Sequence, residues 1–71
     1  MEAIEPHPAV FRVRPIMKQG TASSLDATWT RFTSVDEARR AIAKMYHDDR
    51  VLRAFIVIDE QPPRFVEWVE R

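Results

Sequence analysis

The sequence contains no cysteine and a single glycine, Gly20. Without thiols there is no disulfide staple, no thiolate zinc site, no CxxC redox pair and no cysteine nucleophile. One glycine cannot build a phosphate-cradling or dinucleotide-binding loop, since both need several glycines ahead of a helix. Long hydrophobic runs are missing as well. The longest, Ala54 to Ile58, has five residues, where a membrane-spanning helix needs about 20. No membrane partner is expected. Nor is there an excess of one charge: 11 Lys and Arg balance 11 Asp and Glu, whereas a nucleic-acid binder is expected to be basic. The opening Met-Glu-Ala-Ile-Glu-Pro-His-Pro sets acids and prolines where a secretory signal needs basic residues and then an apolar stretch. With cysteine absent, the expected location is the cytoplasm.

What the chain does have is enough apolar content to fold. Phe, Ile, Leu and Val make up 18 of its 71 residues, above the level typical of disordered chains. This length allows one domain. A chain of 8.3 kDa buries only about 60% of the surface it exposes unfolded. Burial against a partner is therefore an expected supplement to a small core.

Residues 1–8 are read as a flexible N-terminal arm, because Pro6 and Pro8 disfavour helix in the residues before them. Residues 9–71 are expected to form one compact domain. From Ala9 to Met17, apolar residues interleave with Arg12 and Arg14 at a period near two, which suits a strand that frays at Pro15. Lys18 to Asp26 is small, polar and loop-like. Ala27 to Phe32 is rich in β-branched and aromatic residues, and predicts a second strand. Ser34-Val35-Asp36-Glu37 is a capping box: the serine oxygen accepts from the Glu37 amide, and the glutamate side chain reaches back to the Ser34 amide. Val35, Ala38, Ile42 and Met45 then form one apolar stripe, which predicts a helix over 35–47. Val51–Ile58 is a strand apolar on both faces, and Arg64–Glu70 pairs with it as a hairpin.

The expected architecture is α+β: ββαββ, a four-stranded, mainly antiparallel sheet with the helix on one face. Leu52, Ala54, Ile56 and Ile58 are expected beneath the helix. Arg53, Phe55 and Val57 then point away, beside Arg12 and Arg14 or beside Phe65, Glu67 and Val69. Contiguous exposed apolar area of this kind marks an interaction site. Phe55, Val57, Phe65, Val69 and Arg53 are the interface candidates, for a homodimer or a larger protein partner, unless the arm or the 18–26 loop covers them. Trp68 is expected to anchor the last strand against the helix, with an exposed binding hot spot as the alternative.

A second set, Arg12, Arg14, Trp29, Arg31 and Arg53, is suited to single-stranded nucleic acid, which is bound by cations along the backbone and rings under the bases. The zero net charge and the nearby Glu67 and Glu70 argue for arginines paired with carboxylates instead. His47, Asp48 and Asp49 invite a metal or acid–base reading. Their adjacency resembles neither a zinc ligand set nor an oxygen-rich cation loop, and a helix-end turn accounts for them. Ser23 and Ser24 lack a nucleophile-elbow pattern. No enzyme activity, cofactor or metal is expected; the domain is expected to work by binding.

Overall fold

The computed structural model describes residues 9–19 and 25–71. The expected arm, Gly20, Ser23 and Ser24 lie outside them. Strand β1 spans Phe11–Met17, helix α1 Val35–Met45, strand β2 Val51–Ile58 and strand β3 Arg64–Val69. The sheet has the order β1-β2-β3, antiparallel throughout, with β2 in the middle. The fold is α+β, with three strands among the described residues in place of the expected four.

The missing strand is Ala27–Phe32. Its first residues belong to a 3₁₀ turn, Asp26–Trp29, closed by Thr28 N–H to Leu25 O at 3.0 Å and Thr30 N–H to Ala27 O at 3.2 Å. Phe32 alone reaches the sheet, in an isolated bridge to Phe11. Alternation explains the failure: Ala27, Trp29 and Arg31 would share one face and Thr28, Thr30 and Phe32 the other. Neither face is consistently apolar, so a strand there has nothing to bury, and β propensity yields to context. The turn instead packs Ala27 against the core and buries Thr28, while Trp29 stands 73% exposed.

Helix α1 begins where its cap predicts. Ser34 Oγ accepts from the Glu37 amide at 3.1 Å. The return half lands one residue earlier than expected: Glu37 Oε2 accepts from the amide and hydroxyl of Thr33, at 3.3 and 3.2 Å. Val35, Ala38, Ile42 and Met45 face the sheet. The helix ends at Met45 and passes through a turn at Tyr46 and His47. The core comprises Val13, Ala38, Ile42, Met45, Tyr46, Val51, Ala54 and Ile56. Of these, Ile42, Ile56, Val13 and Val51 are the largest side chains fully enclosed, each worth about 1.5–3 kcal/mol of apolar burial.

Two register irregularities set the faces of the sheet. Ile16 pairs with Arg53 but Met17 with Val51, so Leu52 is an extra residue without a partner on β1. Leu52 is 50% exposed, not beneath the helix as expected, and Val51 takes the enclosed position. Similarly, Val57 pairs with Phe65 but Ile56 with Glu67, which makes Val66 the extra residue of β3. An inserted residue shifts the alternation by one. Glu67 and Val69 therefore turn toward the helix, and Phe65 and Trp68 away from it.

The helix side is held at its margins by arginines. Arg39 grips Glu67 with Nε to Oε2 at 3.1 Å and Nη2 to Oε1 at 2.7 Å, a two-pronged bridge that ties α1 to β3. It holds the Glu67 carboxyl below its usual range. Arg71 donates to Tyr46 O at 2.7 Å, Val51 O at 2.6 Å and Asp48 O at 3.4 Å, and lies over the Tyr46 ring. Tyr46 O is a carbonyl of the kind a helix end leaves without a partner, while Asp48 O also accepts from the Val51 amide at 3.1 Å and Val51 O opens β2. The Tyr46 hydroxyl in turn donates to Val69 O.

Candidate functional site

Opposite the helix, the cross-strand partners form three rows: Arg12–Val57–Phe65, Arg14–Phe55–Trp68 and Ile16–Arg53. Residues directly opposite each other in a sheet project from the same face. Alternation along β2 puts Arg53, Phe55 and Val57 on the side away from enclosed Ala54 and Ile56. Helix α1 packs on the other side, and the 3₁₀ turn meets this one at Arg12, whose guanidinium donates to Thr28 O.

Its centre is an aromatic triad. The Phe55 ring lies 5.0 Å from Trp68 in an edge-on arrangement, and 5.9 Å from Phe65; Phe65 and Trp68 are also 5.9 Å apart. Such separations suit favourable ring–ring contact. The Arg53 guanidinium sits 3.8 Å above the Trp68 ring, a cation–π stack, and bonds Glu70 at 2.5 Å. Phe65 remains 53% exposed, Ile16 41% and Trp68 39%. The face is internally ordered by its own rings yet still wet.

Of the interface candidates, Arg53, Phe55, Val57 and Phe65 share this face. Val57 is nearly enclosed, at 5% exposure. Val69 does not belong to it: the shift at Val66 turns it inward to pack on the core. Trp68 is the corresponding correction, since it leaves the helix side for the open face. Strict alternation along β3 predicts the opposite side for both; of the two readings of Trp68, packing against the helix is not seen, and the side chain is exposed on the open face. No signal within the sequence marked Val66 as the extra residue.

The basic set is divided. Arg12, Arg14 and Arg53 lie in the rows above, whereas Arg31 follows the 3₁₀ turn that carries Trp29. Asp59 stands between two of these arginines, 4.0 Å from Arg12 and 3.7 Å from Arg31. Arg12 also donates to Thr28 O at 3.3 Å, and its buried Nε has no partner among the described residues. Arg14 makes no ion pair or hydrogen bond among the described residues. Glu67, expected beside the sheet arginines, is instead engaged by Arg39.

At the helix end, His47 is exposed. Asp48 accepts from the Arg50 guanidinium, at 2.6 Å for the shortest contact, and from the Arg50 amide at 2.9 Å. Those bonds lower its carboxyl to about 2. Among the described residues no three His, Asp or Glu side chains converge as a metal site would require, and no helix is long and apolar enough to cross a membrane.

The chain matches no known protein-family model, and no curated protein or solved structure is significantly similar to it.

Proposed function

We propose that the chain is a small non-catalytic interaction domain that self-associates, two copies packing their open sheet faces together about a two-fold axis. The observation that carries this reading is the Phe55–Phe65–Trp68 triad, with Phe65 and Trp68 exposed, on the same sheet face as Arg14, which makes no ion pair or hydrogen bond among the described residues. The face has unlike halves. Its β1 half contributes Arg14, since Arg12 is engaged by Asp59 and Thr28 O, and its β3 half is aromatic. A two-fold axis along the central strand lays the β1 half of each copy over the β3 half of the other, so that Arg14 meets a partner's rings twice over. An isologous interface demands such self-complementarity. Aromatic residues and arginine are also what the cores of protein interfaces favour.

Nucleic-acid binding through Arg12, Arg14, Trp29, Arg31 and Arg53 fits less well, because Asp59 and Glu70 partner three of the four arginines.

Light scattering after size exclusion, over a range of concentrations, tests the dimer. Twice the chain mass of 8.3 kDa is the expected result, and Phe65→Glu should return a folded monomer. A wild-type monomer at every concentration would overturn self-association and direct attention to a different protein partner or, if oligonucleotides bind at low salt, to nucleic acid.

A further inference from the structure

A groove lies away from the open sheet face, between the 3₁₀ turn and α1. It is an open groove of about 720 Å³, within the range of small-molecule sites. Leu25, Ala27, Phe32, Ala41 and Met45 supply its apolar lining. Arg31, Arg40 and Lys44 line it with positive charge, against one acid, Glu37.

The occupancy of those charges decides what the groove would accept. Glu37 already receives the amide and hydroxyl of Thr33. Arg31 is drawn toward Asp59. Arg40 and Lys44 make no ion pair or hydrogen bond among the described residues. The two are four apart on α1, hence neighbours on its surface, and like charges so placed repel. An anion between them relieves that repulsion. At physiological salt the screening length is about 8 Å, so both cations act on a group bound between them. Elsewhere on the molecule, arginines such as Arg39, Arg50, Arg53 and Arg64 are each matched to a carboxylate.

We infer that this groove binds an amphipathic monoanion, a carboxylate held by Arg40 and Lys44 with an apolar body laid along Phe32, Ala41 and Met45. The site is independent of the sheet face and does not require a dimer.

Amide-resolved NMR titration of the full chain with decanoate below its micellar range is the test, with decyltrimethylammonium as the oppositely charged control. For a ligand of about 12 non-hydrogen atoms, a dissociation constant on the order of 1 mM or somewhat tighter is expected. Saturable shifts should centre on Ala27, Phe32, Ala41 and Lys44. The control should bind at least about fivefold more weakly, and Arg40→Gln with Lys44→Gln should weaken decanoate about tenfold. Both side chains are exposed, so the double variant is expected to stay folded. Ala41→Leu, which fills the floor, should weaken both ligands. Equal affinity for the two head groups, an unaffected double variant, shifts centred on Phe65 and Trp68, or no saturation would each overturn the proposal.

Discussion

The two faces of the sheet are built from different materials. Toward the helix, Val13, Val51, Ala54 and Ile56 meet Ala38 and Ile42 as a fully enclosed aliphatic layer. On the other side, Phe55, Phe65 and Trp68 support one another while keeping contact with water, and an arginine stacks on the Trp68 ring. The first arrangement derives its stability from excluded water and close packing, and leaves little surface to offer a partner. The second keeps large, rigid, amphipathic groups in place without hiding them, which is what recognition uses. A chain of this size has aliphatic residues for one such layer only. Its second face is built mainly from rings and guanidiniums, with Val57 and Ile16 as its aliphatic members.

The sharpest way to break that comparison is to truncate each face. Ile42→Ala or Ile56→Ala should cost about 2–5 kcal/mol, a large share of the roughly 4–10 kcal/mol expected for a domain of this length. Phe65→Ala, measured by urea unfolding at low protein concentration, should cost only about 1–1.5 kcal/mol. Equal losses would mean that the faces are energetically alike.

A smaller effect is expected at the margin of the covered face. Arg71→Ala removes a guanidinium shared among Tyr46, Asp48 and Val51 carbonyls and should cost about 1–2 kcal/mol. Hydrogen exchange should quicken over 46–51 while the amides of Phe55 and Trp68 keep their protection. Arg71→Lys, a point charge without the planar fork, should recover only part of the loss.

The smallest effect is one of pH. The Asp48 carboxyl is held at about 2, below its ordinary value of 3.8, first by its bond to the Arg50 side chain. A carboxyl lowered by folding stabilises the native state above its ordinary value, and that contribution disappears as pH falls from about 4 to about 2. Asp48→Asn should flatten this part of a melting-temperature profile. Glu67 and Glu60, also lowered by arginine partners, should continue to produce a slope that begins near pH 4.5. An unchanged profile in Asp48→Asn would remove Asp48 from the account.

What could be read from residue order was whatever neighbouring residues decide among themselves. Ser34 and Glu37 mark the helix start, and the stripe from Val35 to Met45 marks its buried side; both signals act within four residues. The two-sided apolar run 51–58 likewise identified the central strand. Ala27–Phe32 misled because its composition favours strand while its alternation gives no apolar face. Trp68 and Val69 were exchanged between faces by one extra residue at Val66, and Leu52 was displaced in the same way. Such irregularities answer to the partner strand and to the helix beyond it: Glu67 meets Arg39 across 28 positions of sequence. The groove beside α1 was likewise hidden, since it joins residues from the 3₁₀ turn to a helix face that looks merely solvated.

The extra residues at Leu52 and Val66 stand toward opposite ends of the sheet, and each adds local right-handed twist to strands already coiled that way. The open face is consequently a saddle and not a plane. A flat body would touch it only along a diagonal, whereas a second sheet of the same hand can follow it, with strands inclined by about 30° and a separation near 10 Å. For the dimer proposed above, handedness is thus a constraint that applies before any particular side chain is consulted.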